Sequence, residues 1–170
     1  DEVCVSGVCA PQCVRAPNAG ELIVNEVMYY PTEVRDAEGE WFELYNISAD
    51  PISLQGCTVA DRDDTEDLSG LFLRPNSYAL MVRNLDAELN GGLEGDHAFG
   101  FSLNNGGDTI TLTCNGNDID VLTYGRDEGF PDEGGRSISL DPASANADAN
   151  DESGNWCLGG TPGAANAACP

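Results

Sequence analysis

The side chains best suited to chemistry in this chain are few, and they do not fall into a catalytic spacing. His97 is the single histidine; it follows Asp96 and lies near Ser102. A hydrolytic triad needs an imidazole held between a nucleophile and an orienting acid. Neither a G-x-S-x-G elbow nor an H-E-x-x-H helix motif accompanies these three residues. His97 therefore reads as a loop residue at the surface. Glu40 and Glu43 are a second candidate, since glycoside cleavage uses two carboxyl groups about 5–9 Å apart. Residues three apart on a strand face opposite sides, so this pair is poorly placed for that work. Glu43 reads instead as a structural element of its strand. With no acid–base pair, nucleophile or lysine in a recognisable setting, the chain is expected not to be an enzyme.

Metal binding is the better case. Asp61, Asp63, Asp64, Glu66 and Asp67 crowd one segment, and Asn146, Asp148, Asn150 and Glu152 another, the latter at i, i+2 spacing. Oxygen-only donors at such spacing suit calcium, although neither segment has the glycine that an EF-hand loop needs at its sixth position. The expected ligands are Asp61, Asp63, Asp148, Asn150 and Glu152, with calcium the cofactor. Asn104, Asn105 and Asp108 read as turn chemistry. Trp41 and Trp156 could present binding surfaces, but packing is the simpler reading of both.

These residues must be positioned by short strands. The chain has 170 residues, of which 20 are Gly and 9 are Pro, and 41% of it is apolar. That fits one domain with a short appendage and a real core, made of strands and turns. Period-2 alternation marks strands at 22–30, 40–46, 52–61, 77–83, 108–114, 119–124 and 137–140. Phe42 and Leu44 share a face opposite Glu43, and Tyr78, Leu80 and Val82 are expected to point inward. Ile110, Leu112 and Cys114 share the core face of the cleanest strand. Asn115-Gly116 predicts a type I′ hairpin, which needs positive φ at both central positions. No convincing amphipathic helix appears. The pattern predicts an all-β, disulfide-bonded sandwich over residues 21–170, preceded by a cysteine-rich spacer over residues 1–20.

Charge and cysteine content bound the surroundings. Thirty acidic residues face seven basic ones, all arginine, for a net charge of −23. Such a field opposes nucleic acid and anionic lipid, and the absence of lysine excludes lysine-based crosslinks. The chain contains no apolar run of membrane-spanning length and no signal peptide, and it reads as a mature or excised segment of an exported protein. Its seven cysteines include no CxxC pair and read as disulfides in an oxidising compartment. Cys57 and Cys114 both point to core faces, and a bridge between them would span 57 residues (114 − 57). The chain-entropy relation values that closure at about 4 kcal/mol. Cys157 and Cys169 flank an irregular tail and are expected to pin it. Among Cys4, Cys9 and Cys13, the pairing of Cys4 with Cys9 or Cys13 stays open, with Cys4 and Cys13 carried as the candidate pair.

Taken in order, the segments IVNEVMYYP (23–31), GEWFELYN (39–46), ISLQGCTVAD (52–61), LRPNSYALMV (73–82), SLNNGGDTITLTCNGNDIDVLTYG (102–125), GRSISLDP (135–142) and NWC…GTPGAAN (155–166) resemble the lamin tail domain. That family has an immunoglobulin-like β-sandwich fold and occurs in nuclear lamins and exported bacterial proteins. The resemblance spans about residues 21–169. It implies two cysteine pairs among Cys57, Cys114, Cys157 and Cys169, as in a bacterial cysteine-bearing branch, and it implies no catalytic set. The chain departs from the nuclear branch in lacking a coiled coil and a basic surface. The expectation is a non-catalytic extracellular or cell-surface module for adhesion or protein–protein interaction, stabilised by calcium. The alternative is a self-assembling structural subunit of an extracellular filament or surface layer, a homo-oligomer, for which the odd cysteine count leaves an intermolecular bridge open. Neither nucleic acid nor membrane insertion is expected.

Overall fold

A computed structural model describes the backbone of residues 2–5, 8–11 and 14–170 and the side chains of residues 14–170. A hairpin of β1 (Glu2–Val5) and β2 (Val8–Pro11) precedes β3 (Leu22–Met28). One helical turn, α1 (Asp36–Gly39), leads into β4 (Trp41–Asn46). Next come β5 (Ile52–Ser53), β6 (Cys57–Ala60), β7 (Thr65–Asp67), β8 (Phe72–Leu73) and β9 (Tyr78–Val82). The remainder holds β10 (His97–Ala98), β11 (Gly107–Cys114), β12 (Asn117–Gly125), β13 (Ile138–Leu140), a second helical turn α2 (Ala147–Asn150), and β14 (Trp156–Leu158). Among the described residues no helix is long and apolar enough to cross a membrane.

Two sheets enclose the core. One has the order β10-β9-β4-β3-β13-β14 and the other β12-β11-β6-β7, with β5 and β8 forming a small separate ribbon. Phe42, Leu44 and Met81 from the first sheet and Val59, Ile110 and Leu112 from the second belong to one buried cluster. Each such side chain contributes roughly 1.5–3 kcal/mol on burial. The expected all-β sandwich is the observed fold. Asn115 and Gly116 take φ of 50° and 78°, the left-handed pair that the hairpin joining β11 and β12 requires. The expected strand 52–61 is split: Cys57 N–H donates to Leu54 C=O, turning the chain between β5 and β6.

The facing expected of one strand is corrected. Tyr78, Leu80 and Val82 do not face the sandwich interior; Ala79 and Met81 do. In register, Tyr78 lies opposite Tyr45, Leu80 opposite Glu43, and Val82 opposite Trp41. Leu80, Val82 and Trp41 form a second buried cluster on the outer face of the sheet. Every residue of YALMV is apolar or aromatic, so alternation alone could not choose the face. As expected, no amphipathic helix appears among the described residues; the α-helical segments are single turns. Asn146 supplies the N-cap of α2 by accepting a hydrogen bond from Ala149 N–H at 2.9 Å, which explains its side chain in an otherwise irregular segment.

The described chain is attached to the sandwich from Arg15 onward. Arg15 C=O accepts from Ser53 N–H at 2.9 Å, and its guanidinium pairs with Glu21 and Asp50. The Cys57–Cys114 and Cys157–Cys169 disulfides are both formed. The side chains of Cys4 and Cys9 and the whole of Cys13 lie outside the described residues, and so does their pairing.

Candidate functional site

His97, Asp96 and Ser102 do not assemble. The Asp96 carboxylate accepts from Leu80 N–H at 2.8 Å, and the Ser102 hydroxyl donates to Glu40. The nearest carboxylate to His97 is that of Glu66, 3.9 Å from Nε2. Glu40 and Glu43 part company as expected. Glu40 lies just before β4 and meets Arg83 at 2.8 Å, while Glu43 turns to the outer face of the sheet.

The acidic segments are held by local turns. Asp61 Oδ1 accepts from the N–H groups of Asp63 and Asp64 at 2.9 and 2.7 Å. Folding brings Asp61, Asp63 and Asp64 together with Asp36, Glu40 and Asp108 around one open depression of about 520 Å³. Asn104 and Asn105 line it too, and Asp108 accepts from Asn104 N–H at 3.2 Å, the turn chemistry expected of that set. Among the described residues no group of three or more His, Cys, Asp or Glu side chains converges on a metal position. The second set is dispersed. Asp148 and Glu152 stand exposed, whereas Asn150 is fully buried and donates to Asp120 at 2.8 Å.

That asparagine belongs to a network closing the gap between the sheets. The register of β3 against β4 slips between Val24 and Glu26, leaving a bulge at Asn25. The buried Asp120 carboxylate on β12 accepts from Val24 N–H at 2.8 Å, and Trp156 Nε1–H donates to Asn150 C=O. Burial pushes Asp120 up to about 6 despite these hydrogen bonds.

The most developed site lies on the outer face of the six-stranded sheet. Glu26 on β3 and Glu43 on β4 are direct cross-strand partners, and both are fully buried. Glu26 accepts from the Ser137 hydroxyl at 2.6 Å and from Thr161 N–H at 3.1 Å. Glu43 accepts from the Asn25 amide at 2.7 Å and from Gly163 N–H at 2.5 Å. The segment carrying Thr161 and Gly163 crosses directly over the pair. A Cβ at Gly160 would lie 2.0 Å from Glu26 Oε1, so only glycine allows this approach. Burial pushes both glutamates up to about 7, outweighing their hydrogen bonds, and Glu26 and Asp96 raise Glu43 further.

The same covering segment walls an open groove of about 350 Å³. Met28, Pro31, Val34, Trp41, Leu93 and Pro162 give it an apolar lining, and Arg136 and Glu33 are its charged members. Trp41 is 4% exposed, so it forms part of a packed floor rather than a free platform. Trp156 packs against Phe130 in the core. Glu26, Asp120 and Ser137 were not singled out in sequence. The available signal was a carboxylate inside an apolar run, LIVNEVM and IDVLTY, where a solvated acid has no place.

These raised carboxyls set an unusual pH dependence. A carboxyl with a higher pKa folded than unfolded makes the native state bind more protons within that window, so stability falls as pH rises. For Glu26 and Glu43 the window runs from 4.5 to about 7, and for Asp120 from 3.8 to about 6. Glu21, held down to about 2 by its hydrogen bonds from Arg15, acts oppositely, losing its contribution as pH falls from 4.5. Guanidinium unfolding is therefore expected to give greater stability at pH 5 than at pH 8. Equal or greater stability at pH 8 would contradict this account of the buried acids.

Comparison with known proteins agrees with this architecture. No match was found among curated proteins or among solved structures. The family model for the lamin tail domain matches residues 15–126, which is 112 of the 170 residues (126 − 15 + 1) and includes β3 through β12. With its immunoglobulin-like sandwich, and two disulfides among the described residues, the chain belongs to the lamin tail domain family.

Proposed function

We propose that this chain is a non-catalytic extracellular or cell-surface module for adhesion or protein–protein interaction. The observation that carries this reading is the open apolar groove between the 31–34 and 90–93 loops and the C-terminal segment. A concave, mostly apolar lining of this volume with a few charged members is the usual form of a binding site. The two disulfides support oxidising surroundings and the cysteine-bearing exported branch of the family. The test is binding of the labelled protein to the outer surface of the cells that produce it. Saturable binding is expected, reduced at least tenfold by Thr32→Arg or Leu93→Arg, both on the groove wall. No saturable binding, or equal binding by these variants, overturns the proposal.

Self-assembly is the second reading, and the length of β12 favours it. This nine-residue strand ends its sheet, with Val121 38% exposed along it. Edge strands of that length template further pairing. Sedimentation velocity under reducing and non-reducing conditions distinguishes the two, because a concentration-independent monomer in both excludes assembly.

Calcium is retained in the proposal at Asp61 and Asp63, which share the acidic depression with Asp36, Asp64 and Asp108. Extracellular calcium modules bind with Kd values of about 10⁻⁴–10⁻³ M. Calcium at tenfold excess over Kd would then add about 1.4 kcal/mol, raising the Tm by about 4 °C. The rise is expected to vanish with chelator and in Asp61→Asn/Asp63→Asn; an unchanged melting curve removes calcium from the proposal.

A further inference from the structure

The C-terminal segment Gly159–Asn166 is a cover one chain thick. Residues 160–165 are exposed on its outer side, while Glu26 and Glu43 beneath are completely buried. The segment is anchored at its ends. Gly159 N–H donates to Ser137 C=O at 2.7 Å, Asn166 Nδ2 donates to Asn25 C=O at 3.3 Å, and the Cys157–Cys169 disulfide closes the loop. Over the carboxylates, its attachments are Thr161 N–H and Gly163 N–H, which donate to Glu26 and Glu43. Thr161 N–H also reaches Asn166 Oδ1 at 3.1 Å. Such a segment, with little apolar burial, belongs to the low-stability end of local opening.

The charges around the pair are one-sided. From β3 and β4 come the two glutamates themselves, from the loop before β10 comes Asp96, and from the β13 side comes the neutral Ser137. The covering segment contributes no charged residue. Arg136 is directed to Leu158 C=O and Glu133, and Arg83 to Glu40. Two carboxylates facing each other across adjacent strands, without a cation, cannot both ionise cheaply while they stay dry.

We propose that Gly159–Asn166 is a proton-controlled cover, closed when Glu26 or Glu43 carries a proton and loosened when both are ionised, so that pH reshapes the groove this segment walls. The inference rests on the groove reading given above and assigns that site its regulation. Opening admits water to the carboxylates and returns them toward ordinary acidity. The closed state therefore binds protons more tightly, and by linkage acid closes the cover while base opens it.

Amide hydrogen exchange in the full, disulfide-intact protein tests this, with rates corrected for intrinsic exchange. Protection of Thr161 and Gly163 is expected to fall at least tenfold between pH 5.5 and pH 8.5. Core amides such as Leu112 should change less than twofold. The inflection should coincide with the titration of the Glu26 and Glu43 carboxyl carbons followed by NMR. In Glu26→Gln/Glu43→Gln the loss of protection is expected to shrink below twofold. Flat protection in the wild type, or an inflection away from the carboxyl titration, overturns the proposal, and that comparison needs no variant to fold. An undiminished loss in the folded double variant also overturns it. Exchange needs no partner, so a groove that binds nothing leaves this result readable, and a pH-insensitive cover leaves the binding assay intact.

Discussion

Replacing Cys57 and Cys114 together by alanine is expected to lower unfolding free energy by about 4 kcal/mol. The corresponding drop in Tm is about 10 °C for a chain of this size. The two residues lie directly opposite in the β6–β11 ladder, with Cα atoms 4.0 Å apart, and they are 0% and 2% exposed. The bridge closes 57 residues of chain and ties the first strand of the second sheet to its central strand. Most of its effect falls on the unfolded ensemble, which loses the freedom of that long loop. Cys157–Cys169 spans only 12 residues, and the same relation gives it about 3 kcal/mol. Denaturant unfolding of both double-alanine variants checks the ranking. A larger loss from the C-terminal pair would mean that tail docking, rather than loop closure, dominates.

Arg83→Met is expected to cost about 3 kcal/mol at pH 8, because it strands a buried charge. Glu40 is 1% exposed and is held by Arg83 Nη1 at 2.8 Å, Leu103 N–H at 2.9 Å and the Ser102 hydroxyl. Burial raises its pKa, and the backbone donor and the Arg83 charge oppose that rise. Without the guanidinium the rise is unopposed by any cation, so a neutral Glu40 becomes the cheaper native form. The cost of Arg83→Met should therefore be smaller at pH 5 than at pH 8. Adding Glu40→Gln to Arg83→Met should recover part of the loss, since Gln still accepts from Leu103 N–H. Arg83 also lies over the Phe99 ring, 5.7 Å from its centroid, so some loss should persist in the double variant. A pH-independent cost, or full additivity of the two substitutions, would show that packing of the arginine stem rather than charge compensation is at stake.

The disulfide and the Glu40–Arg83 pair differ in how far each is legible in the sequence. The parity of Cys114 was readable because GDTITLTC alternates cleanly, with threonines marking the other face, and that of Cys57 because it shares a side with Val59. Glu40–Arg83 was not readable, since 43 residues separate the partners and each stands at the end of its expected strand, where alternation does not say which residues meet. YALMV shows the limit of periodicity most plainly. With both sheet faces covered, an all-apolar strand carries no parity signal, and its register against Trp41 and Glu43 decided which side chains entered the sandwich. The acidic segments show a related limit. Asp61, Asp63 and Asp64 were visible as a cluster, but their meeting with Asp36 and Asp108 depends on which loops share one end of the sandwich.

The sequence was enough for the class of fold, most of its longer strands, the Asn115-Gly116 hairpin and the inward placement of two cysteines. All of these follow from local stereochemistry: the two-residue repeat of a pleated strand, the positive φ of a tight turn, and the cost of burying polar groups. Tertiary structure alone decided that Glu26 and Glu43 stand face to face beneath Gly159–Asn166, and that this segment walls a groove. The cover joins residues more than a hundred positions apart, 135 for Glu26 and Thr161 and 120 for Glu43 and Gly163. These relations arise because an outer sheet face, which local alternation would assign to water, is covered by the returning end of the chain.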